Sequence, residues 1–99
     1  MVRLNWTIQA QNDLIKIAEY IAKDSIKYSK IQIKRLRDRT KILKSQPLSG
    51  HVVPELNNEM IRELIIGNYR IIYIIIDKSR IDILTVYHSA RLLNEKNIK

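Results

Sequence analysis

Ile61-Arg62-Glu63-Leu64-Ile65-Ile66-Gly67-Asn68-Tyr69-Arg70-Ile71-Ile72-Tyr73-Ile74-Ile75-Ile76 is the stretch that decides the fold of this 99-residue chain. Its β-branched and aromatic side chains suit a pleated, half-buried surface. Gly67-Asn68 fits a two-residue hairpin turn, because glycine accepts the positive φ that the first position of a type II′ turn requires. Such a turn sets Ile66 opposite Tyr69, Leu64 opposite Ile71 and Arg62 opposite Tyr73, all on one face. The other face then carries Ile61, Glu63, Ile65, Arg70, Ile72 and Ile74, with Glu63 and Arg70 on a diagonal that long side chains bridge. After the polar connection 77–80, residues 81–87 read as a third strand that places Tyr87 beside Arg70 and His88 beside Tyr69. The expectation is an antiparallel meander whose two faces are both largely apolar. One face packs on helices, and the other is left as a patch that a partner must cover.

Upstream, the period changes. Val2, Leu4 and Trp6 alternate with Arg3 and Asn5, giving a short first strand over residues 2–6. Thr7 offers a hydroxyl N-cap, and Ala10, Leu14, Ile17, Ala18 and Ile21 follow at helical spacing over residues 8–23. Asp24-Ser25 stops and recaps the chain. A second helix runs over 26–44, with Ile33, Leu36, Thr40 and Leu43 as its buried stripe and Ile26 and Ile31 leading in. Gln46-Pro47-Leu48-Ser49-Gly50 breaks that helix, and Pro54 argues against strand pairing before residue 60. The fold class is therefore α+β in the order β-α-α-β-β-β, a helical hairpin packed on an antiparallel sheet, in one domain spanning 1–99.

Composition narrows the function classes. Hydrophobic residues at 45% and charged residues at 28% are globular values. With no cysteine and only two histidines, disulfide, thiol and zinc chemistry are not expected, and neither is a cofactor. The longest apolar run, Ile71 to Ile76, falls far short of the roughly 20 residues that span a bilayer. The opening Met-Val-Arg-Leu-Asn-Trp lacks the pattern of a signal peptide, so the cytoplasm is the expected compartment and no membrane partner is expected. Eighteen Lys and Arg against ten Asp and Glu leave a net charge of +8. Much of the excess lies between Lys27 and Lys44, where Asp38 is the only acid. That density attracts polyanions or an acidic protein, although a charge run also serves as a plain solvated face.

Two groups of candidate residues follow. Arg35, Arg37 and Arg39 on the basic helix, together with Arg62 and Tyr73, are candidates for binding a polyanionic target or an acidic protein partner. Arg62, Arg70, Tyr87, His88 and Arg91 are the candidate catalytic set if the protein cleaves RNA without a metal. That reaction needs a proton acceptor for the 2′-hydroxyl, a proton donor for the leaving oxygen and positive charge beside the phosphate. The bland alternative is that the arginines are internally satisfied, Arg70 by Glu63 and Arg62 over Tyr73.

Read in order, the residues resemble the RelE/ParE superfamily of toxins from type II toxin–antitoxin modules. The resemblance runs through Trp6, Asp13-Leu14…Ile17…Tyr20-Ile21, Pro47-x-x-Gly50, Ile61-Arg62-Glu63-Leu64, Gly67-x-Tyr69-Arg70-Ile71-x-Tyr73 and Val86-x-His88-x-Ala90-Arg91. It is closer to the ParE branch in the paired helices, the Pro-x-x-Gly break, the Arg-Glu-Leu strand and the Val-x-His-x-Ala-Arg ending. That branch implies a non-enzymatic inhibitor that poisons DNA gyrase and is neutralised by a cognate ParD- or RelB-like antitoxin, usually acidic. The RelE branch implies instead a metal-independent endoribonuclease acting on mRNA in the ribosome, with Arg70 matching that branch's strand arginine. The tail after Arg91 lacks the tyrosine of RelE-type toxins. A third reading, outside the superfamily's activities, is a non-toxic small basic nucleic-acid-binding module.

Overall fold

A computed structural model describes residues 2–88 of the chain. The elements are β1 (Arg3–Trp6), α1 (Ile8–Ala22), α2 (Ile26–Thr40), β2 (His51–Val52), β3 (Ile61–Ile66), β4 (Tyr69–Asp77) and β5 (Arg80–His88). Two 3₁₀ turns, Lys41–Lys44 and Pro47–Ser49, connect α2 to β2. The strands form one five-stranded sheet in the order β1-β5-β4-β3-β2. The central meander is antiparallel, as the hairpin signal requires. β1 adds a parallel edge beside β5, so the sheet is mixed rather than wholly antiparallel.

Both helices start on hydroxyl caps. Thr7 Oγ1 accepts from Ala10 N at 3.1 Å, and Ser25 Oγ accepts from Tyr28 N at 3.0 Å. Thr7 also ties the helix to the sheet, since its hydroxyl lies 2.8 Å from the Ile83 carbonyl and its own N–H donates to that same oxygen. α2 is shorter than the pattern implies. It ends at Thr40 and tightens into the 3₁₀ turn Lys41–Lys44, which still delivers Leu43 to the core. Ile26 and Ile31 do not lead into the core but stand 66% and 53% exposed. The inward positions of that part of α2 belong to Ser29 and Gln32. Ser29 is satisfied across the hairpin by donating to Ala18 O at 2.7 Å.

Register in the meander follows the Gly67-Asn68 turn, where Gly67 sits at φ +59°. Ile66 pairs with Tyr69, Leu64 with Ile71 and Arg62 with Tyr73. Between β4 and β5 the ladder shifts twice, passing over Ile76 on β4 and Leu84 on β5. The two offsets cancel, so Arg70 lies beside Tyr87 and Tyr69 beside His88, where a simple four-residue connection puts them.

Pairing also begins earlier than Pro54 suggests. His51 and Val52 pair with Glu63 and Arg62, and Val53 N donates to Ile61 O at 3.2 Å. Proline removes a donor only at its own position, which here lies just beyond the pairing. The helix side of the sheet carries the main core, with Leu14, Leu36, Leu43, Ile71, Tyr73 and Ile83 among its members. The opposite side is the face expected to need a partner, but the chain supplies part of the cover itself. Val53, fully buried, and Leu56 fold back over Ile72, Tyr87, Ile61 and Leu84 as a second, smaller cluster.

Candidate functional site

Strand parity divides the candidate catalytic set. Arg70 and Tyr87 are cross-strand neighbours on the loop-covered face, with the Arg70 guanidinium carbon 5.6 Å from the Tyr87 ring. His88 is the next residue along β5, so its side chain emerges on the helix face, where it meets Tyr69 edge-on at 5.5 Å. Arg70 and Tyr87 therefore share one face while His88 stands on the other, with the sheet between it and them. Arg91 lies outside the described residues.

Arg70 is also chemically occupied. Its Nε donates to Glu63 Oε2 at 3.0 Å, its Nη2 donates to the same carboxylate, and its Nη1 donates to Glu55 at 3.3 Å. Partial burial opposes the charge, but the two carboxylates outweigh it and hold the guanidinium firmly protonated. Glu63 was legible on the diagonal. Glu55 sits on the covering loop and has no periodic signal to reveal it. Tyr87 has its hydroxyl pushed above the ordinary range, chiefly by burial, and that hydroxyl makes no hydrogen bond among the described residues.

Arg62 and Tyr73 together build the junction at Gly50. Arg62 donates to the carbonyls of Gly50 at 3.0 Å and Glu59 at 3.1 Å. Tyr73 is fully buried, and its hydroxyl donates to Pro47 O at 2.8 Å while accepting from Gly50 N at 3.0 Å. A Cβ on Gly50 would stand 2.6 Å from both the Glu63 carbonyl and the Tyr73 hydroxyl, so only glycine fits there. Tyr73 is thus a post inside the fold rather than a contact surface.

The basic helix keeps its arginines at the surface. Asp38 is engaged by Lys34 at 2.6 Å and Lys41 at 3.1 Å, and these lysines hold its carboxyl below the usual range. Arg35, Arg37 and Arg39 are all exposed and have no carboxylate partner among the described residues. They do not form one patch. Arg37 turns to the β1 side and lies 5.2 Å over the Trp6 ring. Arg35 and Arg39, one helical turn apart, face the β3–β4 hairpin, with Arg39 beside Ile65 and Arg35 beside Gly67.

Two concavities open near the β3–β4 turn and the end of β5. A groove of about 440 Å³ runs between α1 and the strand ends, lined by Asp13, Lys16, Ile17, Tyr20, Tyr69 and His88. Asp13 fixes its floor by accepting from the Thr85 hydroxyl and from Val86 N at 3.0 Å, which locks α1 onto the irregular part of β5. That clamp went unread in the sequence, although Asp13 adjoins Leu14 on the buried stripe. A smaller pocket lies on the far side of Tyr69, toward α2. No group of residues suited to holding a metal ion occurs among the described residues, and no helix there is long and apolar enough to cross a membrane.

Comparison with known proteins matches this geometry to one family. No curated protein matches the chain. Among solved structures, one titled as the chromosomal ParDE toxin–antitoxin system from P. aeruginosa superimposes with a TM-score of 0.74 at 21% identity, covering 89% of this chain and 96% of that one. At that identity the likeness concerns the fold. The family model described as the ParE toxin of the parDE type II toxin–antitoxin system matches residues 4–93. The chain accordingly belongs to the ParE toxin family of type II toxin–antitoxin systems.

Proposed function

We propose that the protein acts as a ParE-type toxin that arrests growth by poisoning DNA gyrase, and that a cognate acidic antitoxin silences it. The observation that carries this reading over ribosomal mRNA cleavage is the disposition of the candidate catalytic groups. His88 and Arg70 stand on opposite faces of the sheet, and Arg70 is neutralised by Glu55 and Glu63. A phosphodiester transition state needs a proton-transfer group and free positive charge on the same side of one phosphate. Here the arginine charge is internally balanced and the histidine faces elsewhere.

Binding demands less of the sheet and more of the surface. A net charge of +8, with arginines at large on α2, steers an acidic partner or a DNA-bound target toward the helical side. Exposed Tyr20, Tyr28 and Ile31 supply apolar anchors among those charges. The antitoxin is then a chain with acidic residues for steering and apolar side chains for the grooves.

The test is pulse-labelling of DNA and protein synthesis in parallel during the first minutes after tightly controlled induction. DNA synthesis is expected to fail first while translation continues. Translation stopping first would overturn the gyrase reading in favour of ribosome-dependent cleavage. Unaffected growth with folded protein present would overturn the toxin reading itself.

A further inference from the structure

Gln32 is the least expected residue in the interior of the helical hairpin. It is only 5% exposed, yet its side-chain amide makes no hydrogen bond among the described residues. Ser29, which shares its inward face of α2, is satisfied by Ala18 O. The Gln32 amide is nevertheless not one of the polar groups sealed from solvent without a partner. Gln32 lines a pocket of about 260 Å³ whose other walls are Ile21, Tyr28, Arg35, Tyr69 and the Gly67–Asn68 turn.

The chemistry of that lining is specific. Arg35 reaches the turn, with both terminal guanidinium nitrogens about 4 Å from where a Gly67 Cβ would stand. It has no carboxylate partner among the described residues. Its planar fork suits a carboxylate or a phosphate, and the Gln32 amide adds a second donor set plus one acceptor. Tyr28 and Tyr69 furnish its aromatic walls.

Size and polarity choose between occupants. Pockets for drug-sized ligands and cofactors begin at roughly 300 Å³, so this one is undersized for a nucleotide and suits one amino-acid side chain. A glutamate or aspartate brings the charge that Arg35 lacks. Its own peptide N–H offers a donor to the Gln32 carbonyl oxygen, which the phosphate of a diester cannot do. We propose that the pocket between α2 and the β3–β4 turn is a receptor for a single acidic side chain of a protein partner, whose carboxylate is held by Arg35 and Gln32. The identity of that partner as the antitoxin rests on the function proposed above, whereas the chemistry of the pocket does not.

The experiment uses the ¹⁵N-labelled full chain titrated with acetyl-glutamate N-methylamide, inorganic phosphate and a mononucleotide in separate series. The Gln32 side-chain amide and Arg35 Nε resonances are the readouts. A saturable shift with the glutamate derivative is expected, with dissociation near the millimolar range that one charge-assisted contact supplies. Gln32→Leu and Arg35→Gln are each expected to weaken that binding at least about tenfold. Gln32→Leu is also expected to melt close to the wild-type temperature, because the Gln32 amide makes no hydrogen bond among the described residues and keeps contact with solvent. No shift with the glutamate derivative, or a tighter response to phosphate or the mononucleotide, would overturn the proposal. So would a Gln32→Leu melting point lowered by several degrees, since a glutamine already held by structural hydrogen bonds behaves that way. Arg35→Gln lies at the surface and folds regardless, so its titration decides the matter independently. None of these outcomes depends on whether induced cells stop DNA synthesis, so the pocket and the toxin reading fail separately.

Discussion

Arg70 and Arg35 flank the same hairpin turn on opposite sides of the sheet, and they differ in what meets them. Arg70 stands 13% exposed between Glu63 and Glu55, with Tyr87 packed beside it. Arg35 reaches the turn from α2 and meets only an open pocket with an unpaired glutamine. The contrast separates charge that holds the fold from charge left exposed at the surface. Much of the basic character of the chain is of the second kind, because the one acid on α2 is already shared by Lys34 and Lys41.

The largest effect should come from Arg70→Met. It strands the Glu63 carboxylate, 6% exposed, without a counter-charge, and should cost about 3 kcal/mol in urea unfolding. Replacing both partners, as Arg70→Met with Glu63→Leu, should recover most of that loss, because no charge is then left buried alone. If the single variant were as stable as wild type, the structural side of the comparison would break.

Gly50→Ala tests the junction from which the covering loop departs. Its Cβ would press to 2.6 Å on the Glu63 carbonyl and the Tyr73 hydroxyl, both fixed parts of the sheet. A loss of about 2 kcal/mol in thermal melts is expected, typical of overpacking a filled site.

A smaller effect concerns pH. The hydrogen bond from Arg70 lowers the Glu55 carboxyl below its ordinary value of 4.5. A depressed carboxylate contributes stability that is present above its unfolded value and lost as pH falls through its folded one. Acidification below about 4.5 should therefore loosen the loop by less than about 1 kcal/mol, since Glu55 is exposed. Glu55→Gln should flatten that part of a stability–pH curve. Smallest of all, Arg35→Gln should change stability by no more than about 0.5 kcal/mol, as expected of a surface side chain without a partner.

The two arginines also mark what the sequence discloses. The Gly67-Asn68 turn and strict alternation reveal the register of β3 and β4 and the Arg70–Glu63 diagonal, because a period of two leaves no freedom once the turn is placed. Opposing shifts at Ile76 and Leu84 hide within β4 and β5, yet they cancel and leave Arg70 beside Tyr87. The split of His88 from Tyr87 was legible too, for consecutive strand residues cannot share a face. Glu55, Val53 and Leu56 were not, since a loop that folds back over a sheet has no periodic signature. Nor were the parallel placement of β1 or the inward turn of Ser29 and Gln32, where apolar periodicity pointed instead to Ile26 and Ile31.

The most direct test of the central claim, that the sheet arginine holds the fold and performs no chemistry, is the rate of DNA synthesis after induction of Arg70→Met with Glu63→Leu. Folded levels must be matched to wild type. Synthesis should then decline as it does with the wild-type chain. Undiminished synthesis in the presence of folded double variant would contradict that claim and return Arg70 to the active machinery.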